Sequence, residues 1–559
     1  MNTQMKTLNS NTRRTLFATC LSALCLIALS TQAATITVMN MNNSAVGSLR
    51  QALMDAVDGD TINFDSSLHG QTITLTSGEL LVNKSVTING PGPNNLTVDG
   101  NHASRVFHVS GGVTATIGGL TITNGSVSGF FPNRSGGGIY NDHSTLTVTN
   151  CTISGNSASD SLGQGGGIFN GGYLTGYFGY GSATLEVVNC TVSGNSADLE
   201  GGGIFNNGQS GSATLTVTGS TVSGNTVTGG YGGGIAIDGN SGSSMVEVVN
   251  STLSDNSVQS FGGGIFNSSA YGGTAALRVR NSTLSNNWGG DYGGGIYNAA
   301  SAGGNSPLEV THSTLSGNSC LWLDGGGIAN LSGATSQVGS TIFNGNRMSN
   351  GGTSTSLGYN LSSDDGSGFL TATGDQINTN PLLGPLQDNG GPTFTHAPLQ
   401  GSPAIDAGDP NFTPPPDYDQ RGPGYNRVAH GRIDIGAFEV QIVIPSYAGQ
   451  VQAPINADGT STFSVRRGVV PVKFNLTQGG VATCDLPPAT IAVTRTAGGV
   501  IGQVNESVYS GNADTGSNFR IDSCQYVYNL NSRALGVGTY RVDILINGQV
   551  IGNAIFALN

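Results

Sequence analysis

Seven times between Gly136 and Asn330 the chain writes three glycines, an isoleucine, usually an aromatic residue and then usually asparagine. The copies begin at Gly136, Gly165, Gly201, Gly232, Gly262, Gly293 and Gly325, at spacings of 29, 36, 31, 30, 31 and 32 residues. A second motif keeps step with the first: NCTISGN at 150–156, NCTVSGN at 189–195, GSTVSGN at 219–225, NSTLSDN at 250–256, NSTLSNN at 281–287 and HSTLSGN at 312–318. A fixed period near 31 residues with two phased motifs specifies a solenoid, because one unit is too small to bury its own apolar face and must stack on a copy of itself.

Within one copy Ile139, Leu146, Val148 and Ile153 alternate with threonine and serine, and the next repeats this with Ile168, Leu185, Val187 and Val192. Period-two alternation gives short strands with one face in and one out. Three such strands per turn, each parallel to its counterpart one turn on, make a right-handed parallel β-helix. Equivalent positions then fall into columns. One is apolar: Ile139, Ile168, Ile204, Ile235, Ile265, Ile296 and Ile328. Another is asparagine: Asn141, Asn170, Asn206, Asn267, Asn298 and Asn330, broken at Ile237, with amides placed to hydrogen-bond along the stack. About a dozen coils at ~4.8 Å each predict a stack roughly 55–60 Å long.

Charged residues are 9% of the 559, against about 25% in an ordinary globular protein. Serine, threonine and asparagine must therefore keep the surface wet. A net charge of −13 without basic clusters disfavours nucleic acid and anionic membranes. At the N-terminus Lys6, Arg13 and Arg14 precede an apolar run over 16–29, and Thr31 and Ala33 are small. This pattern predicts a secretory signal cleaved near Ala33 or Ala34, too short to span a bilayer. With no second apolar span, the expected product is exported, extracellular or at the cell surface, and carries no transmembrane segment.

The domain plan follows from where the period holds. Residues 1–33 are the signal and 34–135 the cap and first coils. The cap is a short helix over 47–57 with Leu49, Leu53 and Val57 on one face. Regular coils fill 136–345. Residues 346–440 lose the period and gather prolines, as expected of a terminal coil with a long wrapping segment. Residues 445–559 carry alternating strands at 462–465, 469–476, 490–495, 525–530 and 539–546, which predict a small immunoglobulin-like antiparallel β-sandwich. Cys484 and Cys524 are its only cysteines and are expected to pair. Cys151 and Cys190 share one repeat position that serine fills in most later copies, and are expected to stack as thiols. The fold class is thus all-β, a β-helix followed by a sandwich.

These stretches resemble known families. GSLRQAL, with GDTINF (59–64), GPGPNNLTVDG (90–100) and GLTITNG (119–125), resembles the N-terminal part of bacterial secreted β-helix proteins, including those with a CSLREA-type segment, although Gly47 stands where that type has cysteine. The GGGI(F/Y)N and SGN pair is similar to the repeats of polymorphic outer membrane proteins. LGYNLSSDDGSG (357–368), the stretch 380–409, DQRG (419–422) and GRIDIGAFE (431–439) closely resemble the choice-of-anchor Q domain. Pro471, Val472, Lys473 and Phe474 resemble the PxKF signature of a small bacterial C-terminal domain. The resemblances imply an exported β-helix with interchangeable C-terminal modules, and they assign no catalytic residue.

Candidate chemistry is sparse. The aromatic column Tyr140, Phe169, Phe205, Phe266 and Tyr297 follows an inward isoleucine and should face outward. It serves either as a ladder for sugar rings or a partner, or as a surface covered by the loops around 171–182 and 268–275. Asp364 with Asp365, and His430 with Arg432 and Asp434, superficially suggest acid–base chemistry, but both lie inside the choice-of-anchor-like stretches and read as structural. Asp160, Asp198, Glu200, Asp291 and Asp324 lie in loops; oxygen-rich loops suit calcium, while solvated loop acids are the plainer reading. No column of acids is evident on one outer face, and inverting glycoside hydrolysis needs two carboxyls about 6.5–9.5 Å apart. The expectation is a non-catalytic exported protein for adhesion or polysaccharide binding, its partner an extracellular polysaccharide or a host or cell-surface protein. The alternative is a polysaccharide lyase or glycoside hydrolase on the same scaffold. A membrane-barrel autotransporter is disfavoured because no C-terminal run of amphipathic strands is long enough.

Overall fold

The structure, a computed structural model, describes residues 33–172, 181–321, 325–441, 447–478, 480–504, 514, 516–546 and 549–559. All but the last residue of the expected signal, and Asp324, lie outside these. The chain divides into two compact units, Met1–Gln441 and Ile442–Asn559.

The first unit is a right-handed parallel β-helix. Its strands form parallel sheets of twelve, ten and eleven strands. A fourth sheet of seven two-residue strands, not foreseen from the sequence, follows the SGN motif in each coil, as at Ser157–Ala158 and Ser196–Ala197. Equivalent repeat positions pair in register: Ile139 with Ile168, Ile168 with Ile204, Ile204 with Ile235. The isoleucine column is buried throughout, and burying each side chain contributes about 1.5–3 kcal/mol. The cap helix spans Leu49–Asp55, with Ser48 accepting the Gln51 amide at its start. Leu49, Ala52 and Leu53 close the lumen, but Val57 is exposed, because Ala56 turns to extended backbone and takes the inward place.

The phasing of the two motifs has a steric cause, seen in the copy at 201–207. Gly201 has φ +64°, and a Cβ there would meet the Ile204 carbonyl at 2.5 Å and Phe205 Cβ at 2.7 Å. A Cβ on Gly202 would strike the Thr226 carbonyl in the short sheet at 2.5 Å, and one on Gly203 would lie 3.1 Å from the Asn225 amide. Three glycines are therefore needed in a row, and the third is pressed against the asparagine of the next SGN.

That asparagine belongs to a second ladder: Asn156, Asn195, Asn225, Asn256, Asn287, Asn318 and Asn346. Each amide donates to the next side chain at 2.8–3.1 Å, as from Asn156 to Asn195, Asn287 to Asn318 and Asn318 to Asn346. The column expected from the sequence also forms, from Asn141 to Asn170 at 2.7 Å and Asn170 to Asn206 at 2.6 Å. At Ile237 it breaks, and Asn206 turns to the Ser244 hydroxyl at 2.8 Å. Cys151 and Cys190 are buried and form no disulfide with each other, and Cys190 Sγ accepts the Cys151 amide at 3.3 Å as Ser220 Oγ accepts that of Cys190 at 3.0 Å.

Residues 380–441 fold back as a flap over the outer face of the eleven-stranded sheet. Gln420 accepts from Thr283 Oγ1 at 2.6 Å and donates to Thr252 Oγ1 at 2.8 Å. Thr252 Oγ1 donates to the Phe394 carbonyl at 2.6 Å, Ser285 Oγ lies 3.0 Å from His396 Nε2, and the Ala437 amide donates to Thr314 Oγ1 at 3.1 Å.

In the second unit two five-stranded, mainly antiparallel sheets share one core that includes Val470, Val472, Phe474, Tyr526, Tyr528, Tyr540 and Phe556. Pro471 lies beyond the last residue of the central strand paired on its other side, Lys473 with Gln452, so its missing N–H costs no ladder bond there. Cys484 and Cys524 form a disulfide across a separation of 40 residues, which stabilises such a loop by about 3–4 kcal/mol.

Candidate functional site

The aromatic column lies on the outer face of the ten-stranded sheet, as its alternation requires, yet it is not an exposed ladder. Tyr140, Phe169, Phe205 and Phe266 are all buried and Tyr297 is half-buried. Phe131 packs on Phe169 with centroids 6.1 Å apart, the first glycine of each triplet covers the aromatic that follows it, and the Gly171 backbone lies against the Phe169 ring. The column is a second small core outside the lumen. Residues 173–180 of the expected covering loop lie outside the described residues.

A second aromatic pile flanks it, built from the residue just before each glycine triplet. These pair turn to turn as Ser135, Gln164, Glu200, Tyr231, Phe261 and Tyr292. Tyr231 and Phe261 stack at 5.8 Å and 7°, Phe261 and Tyr292 at 6.2 Å and 16°; Phe266 stacks behind Tyr231 at 4.6 Å and Tyr297 behind Phe261 at 4.8 Å. Among the described residues, Tyr231 and Phe261 are thus stacked against neighbouring rings, and Tyr292 ends the pile with one ring partner. The constant offset from the triplet was the signal that marks these positions.

Where the pile begins, Glu200 replaces an aromatic, and Asp238 of the next coil faces it. Burial, then the nearby Asp238, pushes the Glu200 carboxyl up to about 7, opposed by a 2.7 Å bond from Gln164. Because folded Glu200 keeps its proton to higher pH than the unfolded chain, its contribution to stability is largest near pH 4–5 and falls as pH rises through 7. Glu200→Gln should remove that fall, making the variant more stable than the parent by roughly 1–2 kcal/mol at pH 8 and equal to it at pH 4.5. Thermal melts at the two pH values measure the difference.

At the start of the same face a chain of alternating charges crosses three coils. Arg105 Nε lies 3.4 Å from Glu79, Glu79 accepts His108 Nδ1 at 3.0 Å, His108 Nε2 lies 3.7 Å from Asp142, and Asp142 bonds His143 Nδ1. Burial opposes the charge on His108, but the nearby Asp142 carboxylate and the bond to Glu79 outweigh it and raise the imidazole. Asp142, likewise opposed by burial, is held well below the usual carboxylate range by the two imidazoles. His143 Nε2 is buried, with Gly181 against the ring. The contacts run from each of these side chains to the next.

The other sequence candidates resolve into turns and clamps. Asp364 accepts Ser362 Oγ at 2.6 Å and the Gly366 amide at 3.0 Å, and Asp365 accepts the Ser367 amide at 3.0 Å, beside a cleft of 680 Å³. His430 pairs with Asp406 at 3.3 Å and Arg432 donates to the Ala407 and Gly408 carbonyls. Asp434 accepts the Asp406 and Val440 amides at 2.7 and 2.6 Å. Asp198 accepts the Ser161 amide and Thr228 Oγ1, each at 3.0 Å, and Asp160 accepts the Gly129 amide at 3.0 Å. Among the described residues no three His, Cys, Asp or Glu side chains converge as a metal site.

Part of the outer face of the eleven-stranded sheet, like that of the twelve-stranded sheet with its exposed Glu186, Met245 and Arg278, remains open. The register of the eleven-stranded sheet aligns Thr72, Thr97, Thr121, Thr152, Thr191, Thr221, Thr252, Thr283 and Thr314 in one column. Ser154, Ser193 and Ser223 run beside it. The flap buries the last three threonines, and Thr121 Oγ1 donates to the Pro93 carbonyl at 2.5 Å. Thr152, Thr191 and Thr221 stay half-exposed, with hydroxyls that make no hydrogen bond among the described residues. The sequence displayed this column inside the SGN motif, but alternation alone does not say which hydroxyl rows the flap leaves uncovered. No protein-family model, curated protein or solved structure matches the chain.

Proposed function

We propose that this is an exported, non-catalytic surface or extracellular β-helix protein that binds polysaccharide, with 346–440 as a choice-of-anchor Q-like segment and 445–559 as a PxKF-type accessory module. The observation that carries the reading is the open hydroxyl face. Thr152, Thr191 and Thr221, with Ser154, Ser193 and Ser223, offer a neutral, repeating row of donors and acceptors on a rigid sheet, suited to an extended polyhydroxylated chain. The basic N-terminal residues before an apolar run support export, as does the disulfide. Among the described residues no helix is long and apolar enough to cross a membrane.

The test is gel retardation of the full chain in hydroxyethylcellulose, galactomannan, xylan, alginate and polygalacturonate. Thr191→Val with Thr221→Val keeps the β-branched shape and removes two hydroxyls, and should weaken retardation about tenfold or more. Unchanged retardation would remove this face from the function. A second reading, a carbohydrate-active enzyme, is favoured by one observation, the Glu200 and Asp238 pair in adjacent coils. Release of reducing or unsaturated ends from these polymers, abolished in Glu200→Gln, would establish it in place of the first.

A further inference from the structure

The open hydroxyl rows stop at the flap. Pro392 Cγ lies 3.9 Å from where a Cβ on Gly219 would stand, Thr393 Oγ1 donates to the Asn250 carbonyl at 3.3 Å, and the Phe394 carbonyl accepts from Thr252 at 2.6 Å. Residues 392–394 therefore form a wall between the row of Thr221 and that of Thr252. On this wall the Phe394 side chain is 52% exposed although its backbone is pinned. The flap also shows what the column holds. The Gln420 carboxamide, a neutral group with one donor and one acceptor end, bridges Thr252 and Thr283 one coil apart. The uncovered rows continue the same column in the same register.

Resting on the polysaccharide reading, we propose that the Thr152–Thr191–Thr221 window and Phe394 form a subsite for the end of a neutral polysaccharide chain. The chain runs along the solenoid axis, with hydroxyls on successive threonines, and its terminal sugar abuts the wall at Phe394. Two features argue for this ligand. The outward residues of the three rows are Asn150, Thr152 and Ser154; Asn189, Thr191 and Ser193; and Gly219, Thr221 and Ser223, with no charge to pair a uronate or sulfate. The coil spacing of about 4.8 Å approaches the length of one pyranose ring, so one row meets one sugar. A wall across one end of a three-row window selects a terminus, because an internal segment would have to leave the surface at Phe394. The exposed ring supplies an apolar face at that place.

The experiment is calorimetric titration of the full chain with cellohexaose, mannohexaose, hydroxyethylcellulose and galactomannan, alongside Phe394→Ala and Phe394→Trp. Hexasaccharide and polymer of the preferred type should bind alike per mole of chain ends. Phe394→Ala should weaken both about tenfold with an unchanged melting temperature, since the side chain is exposed, and Phe394→Trp should retain binding. Affinity that keeps growing with chain length, or a Phe394→Ala variant that binds like the parent, would overturn end recognition while leaving the polysaccharide reading intact. Failure of the parent to bind any of the four neutral probes would overturn both.

Discussion

Asn225→Ala is expected to destabilise the β-helix by roughly 3–6 kcal/mol, far more than its change in volume implies. Asn225 donates to the Val192 carbonyl and to Asn256 Oδ1, each at 2.9 Å, and accepts the backbone and side-chain amides of Asn195, each at 3.0 Å. Removing it leaves groups of two neighbouring coils unsatisfied in a site with no exposure, at about 1–3 kcal/mol each. It also opens a void against Gly203. Asn225→Asp is the control: the shape is kept, but an acceptor now faces the Val192 carbonyl and Asn256 Oδ1. If hydrogen bonding rather than volume dominates, it should be at least as damaging as alanine at neutral pH. Urea unfolding followed by circular dichroism measures both, with hydrogen exchange in adjacent coils showing whether the loss stays local. A loss below 1 kcal/mol would mean the ladder is not what fixes coil register.

Arg421→Met should release the flap, at a cost of about 3–5 kcal/mol, because it strands a buried carboxylate. Arg421 meets Asp419 with Nε at 3.0 Å and Nη2 at 2.6 Å, donates to the Glu439 carbonyl at 2.6 Å, and lies between the rings of Tyr425 at 3.9 Å and Phe438 at 3.6 Å. Asp419 is fully buried and also accepts the Glu439 amide at 2.8 Å. Beside it Arg427, also fully buried, donates to the Asp434 and Gly436 carbonyls at 3.0 and 2.7 Å. Limited proteolysis should then cut within 380–441 before the coils are attacked. Adding Asp419→Asn should recover part of the loss, since no charge is left unpaired. Full recovery of nothing, with Asp419→Asn alone harmless, would show that ring packing rather than the ion pair anchors the flap.

The division between what the sequence revealed and what it concealed has physical causes. A period of stacked identical units writes itself into the sequence, so the coils, the isoleucine column and the asparagine column at 141–330 were legible. The role of each glycine was not, because it depends on which backbone approaches: Gly202 faces the Thr226 carbonyl and Gly203 the Asn225 amide. The aromatic column was correctly placed outside the lumen, but alternation reports only which side of a sheet a residue takes, not what covers that side. The charge chain from Glu79 to His143 belongs to no motif and appears only when three coils stack. The titratable side chains Asp419, Arg421, Arg427, Asp434 and Glu439 pack together in the flap: burial pushes Glu439 up to about 8, with Asp434 adding to the shift and Arg427 opposing it. Backbone amides meet Glu439, while Arg427 bonds carbonyls through Nη2 alone, its Nε and Nη1 being buried without a hydrogen-bond partner among the described residues. The hydroxyl column was written in every SGN copy, but its significance depends on the flap, whose seat no periodicity encodes.

The central claim is that an uncharged hydroxyl face of the β-helix binds neutral polysaccharide. A glycan array probed with the purified chain, beside the Thr191→Val, Thr221→Val variant, tests it most directly. The expected result is signal confined to neutral glycans and lost in the variant, with both proteins melting at the same temperature. Signal confined to acidic glycans, or signal that the two valines leave untouched, would contradict it.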